Sequence, residues 1–372
     1  NNKLKKIKHN INCLFLRIYE YIKISLMLKN FNISKKNYKE LFLIILFVGF
    51  FFRLGISSLG YMADIEWWVF INDINTLNGK FYGTGAVLYS PLWVHTLYLL
   101  DNIPFFELKD YDAFRYKVII FLSIIDSIIF WLLTKRFSLL IGSIFLLNPV
   151  SIFITGFHNQ FDNLAVLIGL IAVISYEKYK KYGLYICSII LGISLSFKHI
   201  LFLFPVWLAI KEKVLIKKIS IVIIPYAIFI LAFSFYLPGQ FNEILNDVFG
   251  YRSNNNGPFW SIFTPQFLNS YIGYYKLFLI AVFLLGFFVE RKKIMETFLI
   301  YLLAVVTFSS AIANQYLALP IAAMAVFWNP YFVLYTIACT IFFMIDHNAL
   351  DNPEIKELLN WSRKKARLGY KI

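Results

Sequence analysis

The chain of 372 residues is 59% hydrophobic and only 15% charged, and its mean hydropathy is +0.66. A soluble domain carries about a quarter charged residues, so this composition excludes a water-soluble globular protein and indicates a membrane protein. The net charge of +15 does not indicate a nucleic-acid-binding protein, because Lys and Arg lie in short breaks between apolar stretches and at the two ends, as they do in membrane proteins.

The two ends of the chain are basic. Residues 1–40 combine many Lys and Arg with apolar residues such as Leu14, Ile18 and Ile22 at helical spacing, and residues 348–372 form a basic tail. The first pattern predicts either a basic amphipathic helix on the cytoplasmic membrane surface or a solvated basic tail. Both interpretations place the N-terminus in the cytoplasm.

Apolar stretches separated by polar or basic breaks fill residues 41–347. Lipid offers backbone groups no hydrogen-bonding partner, so such stretches must be helices, and none alternates apolar and polar residues as barrel strands do. The sequence therefore predicts an all-α fold, a polytopic transmembrane helical bundle of about 10–12 spans in one domain. The predicted spans are 41–57, 115–134, 137–155, 161–176, 183–197, 199–211, 219–237, 274–289, 295–312, 315–328 and 331–347.

The apolar piece 86–100 decides the topology. If it crossed the membrane, the basic breaks at Lys135, Lys178 and Lys211 would all face outward, against the rule that Lys and Arg favour the cytoplasmic side. We therefore predict that 86–100 is a helix in or on the outer leaflet and that 58–114 is a long external first loop. Eleven spans would leave the basic C-terminus outside, which indicates that one of the last spans is miscounted.

This topology collects polar residues at the outer face, and charged side chains at membrane depth are usually functional or paired. Each of these polar residues also has a possible structural role. Acids can occupy the first turn of a helix, a lysine can extend to the interface, and tryptophans can form an interfacial belt. The candidate site residues are Asp64, Glu66, Tyr89, His158, Gln160, Asp162, Lys198, His199, Arg252, Trp260, Asn314 and Gln315.

These residue types suit one kind of chemistry. A carboxylate can deprotonate a hydroxyl nucleophile, and Arg and Lys stabilise the charge on a departing phosphate. A lipid phosphate is a weak base and leaves without a general acid, so one carboxylate and a cationic site suffice for inverting glycosyl transfer, without the two carboxylates of a glycoside hydrolase. The sequence requires no cofactor, and no ligand spacing supports a divalent metal.

Five segments carry a family resemblance, in the right order, over roughly residues 40–325. Asp64-Ile65-Glu66 is similar to an Asp-x-Glu motif, and Tyr89-Ser90-Pro91-Leu92 to a Tyr-Pro-Pro-Leu motif. The turn Phe157 to Asp162 is similar to Gly-His-Phe-Gln-Tyr-Asn, Lys198-His199 to a Lys-Gln pair, and Arg252 through Trp260 to an Arg followed by Asn-Phe-Trp. These motifs resemble those of the dolichyl- or polyprenyl-phosphate-glucose-dependent glucosyltransferases of lipid-linked oligosaccharide synthesis, members of the GT-C glycosyltransferase superfamily.

The resemblance implies transfer of a hexose from a polyprenyl- or dolichyl-phosphate sugar to a lipid-linked glycan or similar acceptor at the outer or lumenal face. It implies that Asp64 is the general base and that His158, Lys198 and Arg252 lie near the donor. We further predict that Glu66 is catalytic together with Asp64 and that Gln160 and His199 also bind the donor. The predicted acceptor or loop contacts are Tyr89, Asp162, Trp260, Asn314 and Gln315. The family's His-Glu-Lys motif is replaced by Asn314-Gln315-Tyr316, which is more similar to the polyprenyl-phosphate mannosyltransferases of the same superfamily. Glucose and mannose therefore both stay open.

The alternative function is a polytopic transporter or lipid flippase, which also gathers polar groups between helices. Transporters typically show internal repeats and broken helices at the midplane, whereas the polar groups here are predicted to cluster at one face. The predicted location is the cytoplasmic membrane, or the endoplasmic reticulum membrane of a eukaryote. The predicted partners are the sugar donor, the glycan acceptor and the bilayer, without nucleic acid.

Overall fold

A computed structural model describes residues 35–61, 64–77, 80–84, 87–103, 111–179, 182–250, 258–263, 272–310 and 313–345. The predicted amphipathic segment before residue 35 and the basic C-terminal tail lie outside the described residues. Within them the chain forms helices joined by short connections, with no β-strand.

The helices are numbered α1–α16 in chain order. They are α1 (Lys35–Ser57), α2 (Asp64–Leu77), α3 (Pro91–Asp101), α4 (Tyr111–Arg136), α5 (Leu139–Leu146), α6 (Pro149–Gly156), α7 (Asp162–Lys178), α8 (Gly183–Phe197), α9 (Phe204–Lys211), α10 (Leu215–Phe233), α11 (Leu237–Ile244), α12 (Pro258–Phe263), α13 (Tyr274–Phe288), α14 (Ile294–Phe308), α15 (Ile321–Val326) and α16 (Pro330–Ile345). Short 3₁₀ turns precede α9 (His199–Leu201) and α15 (Asn314–Ala318).

Several of these helices suit a bilayer. In the described part of the chain, three are long and apolar enough to cross a membrane by themselves: most of α1 and α4, and all of α10. The pair α5 and α6 passes the same test as one span bent by 50°, and shorter apolar helices of 10–17 residues include α8, α13, α14 and α16. The predicted polytopic helical architecture is confirmed, and its number of spans stays a prediction.

The bend between α5 and α6 interrupts the predicted span 137–155. Pro149 has no amide hydrogen and disfavours a helical conformation at the residue before it. Asn148 accordingly has φ −65° and ψ 124°, and its Oδ1 accepts a hydrogen bond from the amide of Val150 at 2.9 Å. Asn148 thus starts a new helix, which ends at Gly156 immediately before the polar turn 157–161.

A fully buried ion pair joins α1 to α4. Arg53 Nε donates to Asp126 Oδ2 at 2.7 Å, and both side chains are 0% exposed. The other Arg53 nitrogens donate to two backbone carbonyls and to Ser151 Oγ. Asp126 also accepts from Thr155 Oγ1 at 2.6 Å and from Asn163 Nδ2 at 2.7 Å. Both charges are therefore paired and hydrogen-bonded, as burial requires, and the network connects α1 and α4 to α6 and α7.

The segment between α1 and α4 is attached to α8, to α11 and to the π-helical turn Leu245–Phe249 that follows α11. The amide of Tyr82 donates to Gln240 Oε1 at 3.0 Å, and the amide of Gly83 donates to Asp247 Oδ2 at 2.6 Å. Ser90 Oγ donates to the carbonyl of Leu195 at 2.7 Å. The predicted helix 86–100 corresponds to α3, and these contacts hold its start beside the end of α8.

Candidate functional site

Asp64 and Gln160 meet although 96 residues separate them in the chain. Asp64 is the first residue of α2, and Gln160 lies in the turn between α6 and α7. Gln160 Nε2 donates to Asp64 Oδ2 at 2.5 Å. Asp64 is half-buried and Gln160 is buried. The structure thus brings together two of the residues that the sequence singled out.

Lys198 and Asp162 form a second pair. Lys198 follows α8 in an extended conformation, and its Nζ donates to Asp162 Oδ2 at 2.7 Å. The ammonium lies 4.6 Å from the ring centroid of Phe161 and 5.7 Å from that of Tyr316, within cation–π range. Asp162 Oδ1 is buried and has no hydrogen-bond partner in the described part of the chain. One carboxylate oxygen is therefore open to a further donor.

An aromatic cluster of Trp68, Tyr89, Trp93 and Phe161 packs around these polar groups. The rings of Trp93 and Phe161 stack with centroids 4.1 Å apart, and Tyr89 meets Phe161 edge-on at 5.0 Å. Trp68 lies 5.1 Å from Trp93. Asp64 and Trp68 are one helical turn apart and so share a face of α2. The Asp64 carboxylate therefore lies on the same helix face as Trp68, whose ring packs in this buried aromatic cluster.

The surroundings make Asp64 more basic than an exposed carboxylate. Burial raises its pKa, whereas the charge of Lys198 and the hydrogen bond from Gln160 lower it, and the nearby Asp162 raises it again; the net direction is upward. Burial, followed by the charge of Asp64, also raises the pKa of Tyr89, so that phenol stays protonated. A carboxylate with a raised pKa in a partly closed site is suited to accept a proton.

In the described part of the chain, neither Glu66 nor His158 forms a hydrogen bond or ion pair with Asp64. Glu66 is exposed, and it makes no hydrogen bond or ion pair with the residues that the structure covers. His158 is buried, its ring lies 5.0 Å from that of Phe343 in α16, and its Nε2 has no partner among the described residues. Burial lowers the pKa of His158 to about 3, so the ring is neutral at pH 7. His199 begins the 3₁₀ turn next to Lys198.

The structure gives no hydrogen bond between Asp64 and the remaining predicted residues that it describes, Trp260 and Gln315. Trp260 lies in α12 and its Nε1 donates to the carbonyl of Phe308 at the end of α14, at 2.6 Å. Gln315 is half-buried in the 3₁₀ turn that also carries Tyr316. Arg252 lies outside the described residues, and of Asn314 only the backbone is described. In the covered part of the chain, no group of three or more His, Cys, Asp or Glu could hold a metal ion.

Sequence reasoning missed three features near the site. Tyr316, which is not among the candidate site residues, lies beside the Lys198 ammonium. Arg115, at the start of α4, contacts the turn that holds Gln160. The Arg53–Asp126 pair lies within the predicted spans 41–57 and 115–134, and charges inside apolar spans are a signal of pairing or function that the sequence already carried.

These features define a polytopic helical membrane protein with a half-buried carboxylate beside a buried Lys–Asp pair. No protein-family profile and no curated protein sequence matches the chain. Among solved structures, it is similar to the apo crystal structure of ArnT from Cupriavidus metallidurans, with a TM-score of 0.50 and 13% sequence identity. The likeness covers 83% of this chain and 63% of the ArnT chain, so this chain spans less than two thirds of ArnT. At 13% sequence identity, this likeness shows a shared fold and nothing more specific.

Proposed function

We propose that the chain is a membrane glycosyltransferase of the GT-C type that transfers a hexose, glucose or mannose, from a polyprenyl- or dolichyl-phosphate sugar to a lipid-linked glycan or similar acceptor. The observation that carries the proposal is the Asp64–Gln160 contact beside the Lys198–Asp162 pair. The chain shares its fold with ArnT, and that likeness supports a membrane glycosyltransferase of the GT-C type that uses a lipid-linked donor.

In the proposed reaction the acceptor hydroxyl oxygen attacks the anomeric carbon, and the bond from that carbon to the phosphate oxygen breaks. The lipid phosphate leaves with the electron pair, and Asp64 takes the hydroxyl proton. Attack opposite the leaving group inverts the anomeric configuration. One base is sufficient because the phosphate needs no proton to leave, and Glu66 is exposed on another face of α2, consistent with a single catalytic carboxylate.

The phosphate requires positive charge that the Lys198–Asp162 pair does not fully supply. One ammonium and one carboxylate are neutral together, and the ammonium lies near the rings of Phe161 and Tyr316. In our proposal Lys198 presents its ammonium to the donor while Asp162 keeps it in place. Arg252, which the family resemblance assigns to the donor, supplies a second cation, with a planar fork suited to phosphate. Tyr89, His158, His199, Trp260, Asn314 and Gln315 are proposed contacts of the donor or acceptor.

The proposed site faces the outer or lumenal side of the bilayer. In a chain whose native cysteines are replaced, Asn102→Cys at the exposed end of α3 should react with an impermeant thiol reagent in intact cells. Lys178→Cys at the exposed end of α7 should react only after permeabilisation, because Lys and Arg favour the cytoplasmic side. The opposite pattern of labelling contradicts the proposed orientation.

Removing Gln160 should change the pH dependence. The Gln160 amide stabilises the ionised Asp64, so Gln160→Leu should raise the pKa of Asp64 further. The base acts only when ionised, and activity is lost as pH falls through its pKa. We therefore expect the acidic limb of the kcat/KM profile to move to higher pH in Gln160→Leu and to stay in place in Asn102→Ala. An acidic limb that is unchanged or shifted to lower pH in Gln160→Leu argues against Asp64 as the base.

Proteoliposomes separate the proposed transferase from a flippase. Purified protein is reconstituted with a polyprenyl-phosphate sugar labelled in both the sugar and the lipid, together with a lipid-linked glycan acceptor. A transferase separates the two labels and glycosylates the acceptor. Movement of the doubly labelled lipid across the bilayer without cleavage supports the transporter alternative instead.

A further inference from the structure

We infer that Arg115 is a positioning residue that holds Asp64 and Gln160 in contact. The inference rests on the proposed function for its catalytic meaning, but the contacts themselves do not depend on that function. Arg115 lies in the first turns of α4 and is 4% exposed. Its guanidinium reaches two segments of the chain, one leading to Asp64 and the other to Gln160.

The first segment is the end of α1. Arg115 Nη2 donates to the carbonyl of Ser57 at 2.8 Å and to the carbonyl of Gly60 at 2.5 Å. The guanidinium carbon also lies 5.3 Å from the ring centroid of Tyr61. Gly60 has φ 135°, a conformation that favours glycine. Arg115 thus binds the chain where it turns out of α1, four residues before Asp64.

The second segment is the turn between α6 and α7. Arg115 Nε donates to Asn159 Oδ1 at 3.2 Å. Asn159 has φ 58°, a left-handed conformation that asparagine tolerates better than most residues. Its Nδ2 donates back to the carbonyls of Thr155 and Gly156. The residue that follows is Gln160, whose side chain holds Asp64.

One guanidinium therefore binds both segments that present the Asp64–Gln160 contact, at Gly60 four residues before Asp64 and at Asn159 immediately before Gln160. A planar fork with several fixed donors can serve both segments at once, whereas a lysine ammonium is a single point charge. Among the described residues, the charged or titratable groups that interact electrostatically with Asp64 are Lys198, Asp162 and Tyr89. Arg115 acts on Asp64 through the backbone and leaves these three groups in place.

The kinetic test compares Arg115→Lys, Asn159→Gly, Gln160→Leu and the double variant Arg115→Lys/Gln160→Leu. Asn159→Gly permits the left-handed backbone but removes the oxygen that Arg115 binds. We expect each single change to lower kcat by about 10–100-fold, with KM for the lipid donor within about threefold of wild type. The double variant should be no slower than the slower single variant, because both changes act on one contact. Arg136→Lys, at the exposed end of α4, should keep wild-type activity.

Losses that multiply in the double variant, or wild-type kcat in a folded Arg115→Lys or Asn159→Gly protein, would overturn the inference. If Arg115→Lys does not fold, Asn159→Gly decides the question, because it leaves the buried cation in place.

A second readout needs no donor. Infrared difference spectra between each protein and its Asp64→Asn counterpart follow the titration of the Asp64 carboxyl alone. Gln160→Leu should raise the apparent pKa, and Asn159→Gly and Arg115→Lys should shift it in the same direction. An unchanged titration in folded Asn159→Gly and Arg115→Lys proteins refutes the positioning role. If wild type transfers no sugar but these titration shifts appear, the proposed function fails and the positioning role stands.

Discussion

Asp64→Asn should bind the lipid donor as wild type does and transfer sugar at least about a hundred times more slowly. A missing general base typically costs about 10²–10⁴-fold in rate. The amide keeps the shape of the carboxylate at the start of α2, beside Gln160, but it accepts no proton. The measurement is kcat and donor Kd for the purified variant, with its thermal stability as a check on folding.

Glu66→Gln is the matched control for this prediction. It removes a carboxylate two residues away on the same helix, from an exposed side chain that makes no hydrogen bond or ion pair within the described chain. We expect its kcat within about threefold of wild type, since only the Asp64 face of α2 is turned to the site. Normal turnover in Asp64→Asn together with an inactive Glu66→Gln protein assigns the base to Glu66.

Breaking the Arg53–Asp126 pair should lower the stability of the folded protein strongly. Arg53→Met leaves Asp126 buried without its charge partner, and Asp126→Leu leaves Arg53 in the same state. Removing one partner of a buried pair typically costs about 3–5 kcal/mol. We expect that loss in the free energy of unfolding, measured by steric trapping in bicelles.

The double variant Arg53→Met/Asp126→Leu tests the physical reason. It leaves no uncompensated charge, so it should recover a large part of the stability that either single variant loses. Arg136→Gln breaks the exposed pair with Glu177 and should cost about 1 kcal/mol or less. Single variants of Arg53 or Asp126 that are as stable as Arg136→Gln contradict a structural role for the buried network.

The helical architecture could be predicted from the sequence because each apolar stretch in lipid must satisfy its own backbone hydrogen bonds, which only a helix does. The prediction of one continuous span over 137–155 missed the bend at Pro149, although its cause, the missing amide hydrogen of one residue, is also local. The orientation of Glu66 away from Asp64 also follows from helical geometry, because residues two apart lie on different faces of a helix.

The contacts of the site could not be predicted in this way, because they join residues that are distant in the sequence. Gln160 lies in a turn and Asp64 at the start of α2, and the predicted topology places both at the outer face without fixing which side chains meet. His158 belongs to the turn with the most specific motif, yet its ring packs against Phe343, whereas Gln160 in the same turn contacts Asp64. Arg115 lies at the start of a predicted span, where an arginine is ordinary. Only the folded chain shows that it joins two other segments.

The most direct test of the proposed transferase is the release of lipid phosphate by purified protein, measured together with the anomeric configuration of the glycosylated product. Donors carry glucose or mannose on polyprenyl phosphate, and lipid-linked glycan serves as acceptor. We predict that at least one donor yields lipid phosphate and glycosylated acceptor in equal amounts, with inverted configuration. The absence of lipid-phosphate release from every donor, or a product with retained configuration, would contradict direct displacement assisted by Asp64.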